Sequence, residues 1–149
     1  MASTNKTANY NLNQWVSTDF FKMSDFNADN LAIDTALAGK ANIAFGSYLG
    51  NGGAGSSPPV SMSFSFDPAA VLVIGQGGIG NEAHEVCAIF IRNHTAGAYT
   101  VASGGAARCV ELACSWNGHS FSFHSASGTA LEQLNANGES YGYVAIGTV

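Results

Sequence analysis

Charge is what this sequence has least of. Asp, Glu, Lys and Arg together make up 10% of its 149 residues, against roughly 25% in an ordinary soluble domain. The five cations, Lys6, Lys22, Lys40, Arg92 and Arg108, fall in no cluster, and the formal net charge is −5. Binding to nucleic acid through counterion release needs clustered cations, so a nucleic-acid partner is not expected. Long hydrophobic runs are missing as well, since no window approaches the roughly 18 consecutive apolar residues of a membrane span. The opening MASTNKT has no apolar signal-peptide region. The expectation is a chain that neither inserts in a membrane nor uses the Sec route. Cysteine is scarce and odd in number; Cys87, Cys109 and Cys114 leave one thiol unpaired in any disulfide scheme, and reduced thiols are expected.

What the chain does have is 46% apolar residues and 18 Gly, enough for one core that needs no staples. Its surface must therefore be solvated by Ser, Asn, Thr and Gly, or be covered in an assembly. Residues 1–23 are polar with scattered aromatics, Tyr10, Trp15, Phe20 and Phe21, and no period. They read as an extended arm that anchors to something. Residues 24–40 read as the one helix, with Ser24 or Asp25 at its start, acids in its first turns and Gly39 near its end. Met23, Phe26, Asn30, Ile33 and Leu37 follow the 3,4,3,4 spacing of an a/d seam. An Asn at an a position fixes register and oligomer state. Two heptads are too short to associate alone, so packing on the chain's own domain and self-association both remain open.

After Lys40 short apolar runs alternate with Gly, Ser and Asn. Residues 61–66 alternate strictly, with Met62, Phe64 and Phe66 on one face and serines on the other. Residues 70–74 form a short apolar strand. Residues 84–92 are apolar on both faces, so both should be covered, by a second sheet or by a neighbouring subunit. Asn117-Gly118 between two β-rich runs predicts a two-residue hairpin in which Trp116 opposes His119, Cys114 opposes Phe121, and Glu111 opposes His124. Residues 141–147 read as the last strand. At least six strands with turn signals predict a mainly β fold: an antiparallel β-sandwich head over 41–149, preceded by the arm and the helix.

Three chemical motifs fail for lack of context. VLVIGQGGIG at 71–80 resembles a dinucleotide-binding turn, yet no helical stripe follows and residues 95–107 contain no acid for a ribose. Cys109, Cys114, His119 and His124 include zinc-type donors, but the hairpin sends Cys114 and His119 to one face and Cys109 and His124 to the other. The ten acids mark no paired carboxylates, and neither GxSxG nor HExxH occurs. No cofactor, no metal and no enzymatic activity are expected. Trp116, Tyr48, Tyr141 and Tyr143 are aromatics able to stack on sugars, or simply core rings.

Two stretches carry a family resemblance. DFNADNLAIDTAL at 25–37 resembles the helix of tail proteins encoded by phages and prophages of Gram-positive bacteria. GSYLGNG at 46–52 followed by MSFSFDPAAVLV at 62–73 is similar to the opening of phage tail-fibre head domains, and YGYVAIG at 141–147 is similar to their last strand. Ser65 stands where that family often has Gly, and Ala69 where it often has Lys. The resemblance implies a homotrimer whose N-terminal arm attaches to a tail or baseplate protein and whose β head binds a bacterial surface glycan or protein. On that reading the protein belongs to a virion tail or a phage-derived particle. Tyr10, Trp15, Phe20 and Phe21 then serve attachment, Met23, Phe26, Asn30, Ile33 and Leu37 trimerisation, and Trp116, Tyr48, Asn51, Asn81 and His119 receptor binding. Loops 50–57 and 77–81 form the exposed tip. A structural baseplate or fibre-tip component is the second reading, and a carbohydrate-active enzyme fragment the third.

Overall fold

In a computed structural model, which describes Ser3 and residues 5–126 and 128–148, positions 1, 2 and 4 of the expected arm and 127 and 149 of the expected head lie outside the described residues. The chain divides into two compact units, Met1–Lys40 and Ala41–Val149.

The first unit is not an extended arm throughout. Strands β1 (Asn5–Lys6) and β2 (Asn13–Gln14) pair antiparallel, and helix α1 spans Met23–Ala38. Asp29 of α1 accepts the backbone N–H of Asn13 at 3.1 Å and its side-chain amide at 2.9 Å, which ties the small ladder to the helix. The rings of Trp15, Phe21 and Phe26 follow one another at 5.0 and 5.7 Å between centroids. The expected Ser24 or Asp25 start does not form, because Lys22 occupies the N-cap position without a side-chain bond, whereas Gly39 is the C-cap as expected, with φ −83 rather than a left-handed conformation. No residue of α1 is buried, and Met23, Phe26, Ile33 and Leu37 are all exposed. Among the described residues no helix is long and apolar enough to cross a membrane.

The second unit is one antiparallel sheet of eight strands: β3 (Asn42–Leu49), β4 (Val60–Ser63), β5 (Asp67–Ile79), β6 (Glu82–Ile91), β7 (Ala96–Ser103), β8 (Ala106–Asn117), β9 (Ser120–Ser125) and β10 (Ser140–Thr148). Their order across the sheet is β3-β10-β5-β6-β7-β8-β9-β4. The mainly β class holds, but the eight strands form a single curled half-barrel rather than two facing sheets. Alternation along each strand decides which residues face inward. It cannot decide whether the apolar face meets a second sheet or its own far side. Here Phe90 of β6 meets Phe121 and Phe123 of β9 at 4.9 Å across the curl.

Glycines and a bulge supply the bend. The register of β10 against β5 shifts between Ile146 and Gly147. A Cβ on Gly97 would collide with the ring of Phe90, and one on Gly77 would sit 2.7 Å from Leu134 and 3.1 Å from Tyr99. The inner face is filled by Val71, Val73, Ala88, Phe90, Leu112, Phe121, Phe123, Tyr141 and Ala145, all nearly inaccessible. Each large ring or aliphatic chain buried there contributes about 1.5–3 kcal/mol.

The glycine tract at 75–80 is therefore strand and turn, not a phosphate cradle. Residues 75–79 continue β5, and Gly80 at φ 65 turns the chain into β6. The β8–β9 hairpin pairs Asn117 with Ser120 and Trp116 with Phe121, two residues away from the expected register, so Cys114 opposes Phe123 and His124 opposes Ala113. Gly118, at φ 54, is the first of two turn residues and His119 the second, the Gly-X arrangement of a type II′ turn rather than Asn-Gly of type I′. A shift of two leaves the faces unchanged. The expected strand at 61–66 ends at Ser63, the one at 70–74 lengthens to thirteen residues, and the outer face of β6 stays open within the chain.

Candidate functional site

The sheet has two ends. At the entry end, where the chain passes into β3, lie Asn42, Asp67, the β6–β7 turn and the β8–β9 turn. The distal end gathers the β3–β4 connection, the β5–β6 turn, the β7–β8 turn and residues 126–139.

A short irregular segment, 129–136, closes the distal end of the curl. Three phenols from three strands meet it. Tyr48 of β3 donates to the carbonyl of Leu134 at 2.7 Å, Tyr99 of β7 donates to that of Glu132 at 3.0 Å, and Tyr141 of β10 accepts the N–H of Ala136 at 3.0 Å. Tyr48 and Tyr141 are direct cross-strand partners with rings stacked at 5.1 Å. Burial raises the pKa of all three, that of Tyr99 to about 12. Gln133 is fully buried; its Oε1 accepts from Gly55 at 2.7 Å and from Ser125 at 3.1 Å. Asn135 donates to Oδ1 of Asn51 at 2.7 Å and to the carbonyl of Gly53 at 2.9 Å, and its Oδ1 accepts the N–H of Asn51 at 3.1 Å. Leu134 fills the centre with no exposed surface and adopts φ 56 to do so. This plug makes the distal loops a built surface rather than loose connections.

Beside the plug a cleft of about 460 Å³ is lined by Ile79, Arg108, Cys109, Val110, Glu111, Ala126 and Glu132. A smaller hollow of about 170 Å³ lies between Tyr48, Leu49, Asn51, Pro59, Val60, Ser61 and Asn135. Glu82, Glu85, Glu111, Glu132 and Glu139 stand at or beside this end against the single cation Arg108, so the distal rim is net negative.

The five expected receptor-binding residues do not converge. Tyr48 and Asn51 share the smaller hollow, with Tyr48 committed to Leu134 and Asn51 to Asn135. Asn81 is exposed at the β5–β6 turn on the same end. Trp116 and His119 lie at the opposite end. There Trp116 stacks on Phe121 at 4.5 Å and reaches the carbonyl of His94 at 3.4 Å, while Nε2 of His119 faces Asp67 at 3.5 Å. Arg92 completes that cluster, with Nη1 3.7 Å from Asp67 and Nη2 3.3 Å from the carbonyl of Gly118. Both residues thus stitch the β8–β9 turn to the start of β5. Of the expected tip loops, Gly50, Gly77 and Gly78 are buried, and only the turn at Gly80 and Asn81 and the outer part of 51–57 reach the surface.

Tyr143 is half-buried against Phe64, ring edge to ring face at 6.0 Å. Cys114 is half-buried on the inner side, its thiol on the carbonyl of His94 and its pKa raised by burial, whereas Cys109 and His124 are on the outer side. Among the described residues no three His, Cys, Asp or Glu side chains are grouped to hold an ion. Arg108, Glu132, Gln133 and Asn135 were not singled out by the sequence, although the turn-rich run NANGE at 135–139 marks a compact connection there. No family model, curated protein or solved structure matches this chain.

Proposed function

We propose that this protein is a short tail-fibre or receptor-binding protein of a phage or phage-derived particle, a homotrimer without enzymatic activity. The N-terminal unit attaches to a tail or baseplate protein and the β head attaches to a bacterial surface. The observation that carries the reading is the helix: five residues at a/d spacing, Met23, Phe26, Asn30, Ile33 and Leu37, on a 16-residue helix that buries none of them within its own chain. A helix this short is marginal by itself and gains stability by covering its apolar stripe. The resemblance of residues 25–37, 46–52, 62–73 and 141–147 to phage tail proteins supports the same reading. Tyr10, Phe20 and Phe21 are exposed, and Trp15 packs on Phe21, which suits an anchoring surface.

Receptor contact belongs at the distal rim, around Arg108, Glu111, Asn81 and Asn51. With five carboxylates to one guanidinium, that rim suits a neutral glycan or a protein better than a phosphate-bearing polymer. The test is attachment of fluorescently labelled full chain to Gram-positive cells. Arg108→Ala should lose most attachment while the assembled mass is unchanged. Trp116→Ala, at the other end, should cost roughly 2–3 kcal/mol of stability without altering attachment of the folded fraction. Attachment lost with Trp116 and kept with Arg108 would reverse the assignment of ends. A second reading, a structural fibre-tip component, is favoured by one observation: Trp116 and His119 are spent on intramolecular contacts. Absence of attachment to any cell, together with assembly on tail proteins, would establish it.

A further inference from the structure

The outer face of the half-barrel is divided. Across β7 and β8 it is small and polar, alanines alternating with Thr100, Glu111 and Ser115, and across β9 and β4 it is polar, with Ser120, Ser122 and Ser63; no large apolar side chain points outward from these four strands. Across β3, β10, β5 and β6 it is apolar, and Glu85 near the distal margin is the one charge among its outward positions.

Phe45 is 83% exposed, Leu49 68% and Ile43 63%; Ile74, Ile89 and Ile91 are 49% exposed each and Ile146 38%. Together these seven leave the equivalent of about four whole side chains uncovered. At on the order of 200 Å² per large side chain this is roughly 800 Å², one partner's share of a standard stable interface and more than an ordinary monomer surface displays in one patch. Cross-strand pairs make the patch continuous: Phe45 beside Val144, Val144 beside Leu72, and Leu72 beside Ile89.

We infer that this face is covered by the same face of other copies of the chain, so that the heads as well as the helices form the contact between protomers. The inference rests on the self-association proposed above and adds the surface that performs it. An uncharged patch meets no like-charge repulsion from its counterparts gathered about a threefold axis, and the uncovered helix seam already calls for copies to meet.

The molecule carries its own reporter. Cys87, opposite Ile74, lies inside the apolar half, and Cys109, opposite Thr100, lies in the polar half; both are exposed in the single chain. In the full-length protein, a small maleimide followed by mass spectrometry should modify Cys87 at least about tenfold more slowly than Cys109. Phe45→Glu, at a position already exposed and so harmless to the fold, should abolish that difference. Equal labelling in a protein whose mass is a multiple of 15.3 kDa would overturn the head interface and leave the helix seam standing. Equal labelling at the mass of a single chain would overturn both. Protection of Cys87 that persists in Phe45→Glu would also count against the proposal, since the cover would then not involve this patch.

Discussion

Gln133 shows how much one buried side chain carries here. Its amide oxygen holds the N–H groups of Gly55, in the β3–β4 connection, and of Ser125, at the end of β9, and no part of it is exposed. Gln133→Ala strands the buried N–H of Ser125 and leaves that of half-buried Gly55 without its partner, which costs about 2 kcal/mol. Urea unfolding of the variant against the parent measures this, and a change below about 0.5 kcal/mol would contradict the role assigned. Gln133→Glu would keep the acceptor but bury a charge among backbone donors, so it should recover part of the loss. None of this was visible in the sequence, because a lone Gln in a turn-rich run has no period. Its partners are defined only once the strands have closed.

At the scale of elements, three strands hold one segment through three phenols. Tyr48, Tyr99 and Tyr141 are all kept neutral by burial, with Tyr99 shifted from 10.0 to about 12. A folded pKa above the unfolded one favours the protonated fold, so stability is fully present below pH 10 and declines as pH rises toward 12. Denaturant unfolding at rising pH should show this alkaline loss, steeper than one tyrosine could cause and shallower in Tyr99→Phe. A flat profile up to pH 12 would mean the phenols are not held as described. The strands themselves were largely legible. The alternation of Met62, Phe64 and Phe66, the doubly apolar run at 84–92 and the closing YGYVAIG each lie in or beside a real strand. What misled was glycine. On β5 the inward positions Gly75 and Gly77 replace apolar residues because the rings of Tyr141 and Tyr99 pack over them, so half of a thirteen-residue strand reads as a loop. The hairpin register was off by two for a related reason, since Asn-Gly suits type I′ while the chain turns on Gly118-His119.

For the whole molecule the decisive question is what covers the surfaces the chain leaves open. Few charges stand at the margins of the exposed helix stripe and of the open half of the sheet, and on the proposed reading other copies of the chain cover both. Light scattering should give three times 15.3 kDa for the parent. Ile33→Asp with Leu37→Asp should lower that mass without changing the β-sheet circular dichroism, because α1 and the sheet belong to separate compact units. Unchanged mass in the double variant would remove the helix from the assembly. The proposed self-association is suggested by the a/d spacing around Asn30. The proposed meeting place of the sheets was not legible, because the second apolar surface is assembled from four strands spread between Ile43 and Ile146.

The pairing of β3 with β10 has a practical side. Asn42 and Gly147 are cross-strand partners, so the strand that enters the sheet and the strand that finishes it share one end. A label attached to the exposed side chain of Thr148 would sit there, away from the rim. A peptide inserted between Gly104 and Gly105, at an exposed turn on the far end, would be displayed outward on a frame whose folding does not depend on it. The head is in that sense a scaffold with its handle and its display face already separated.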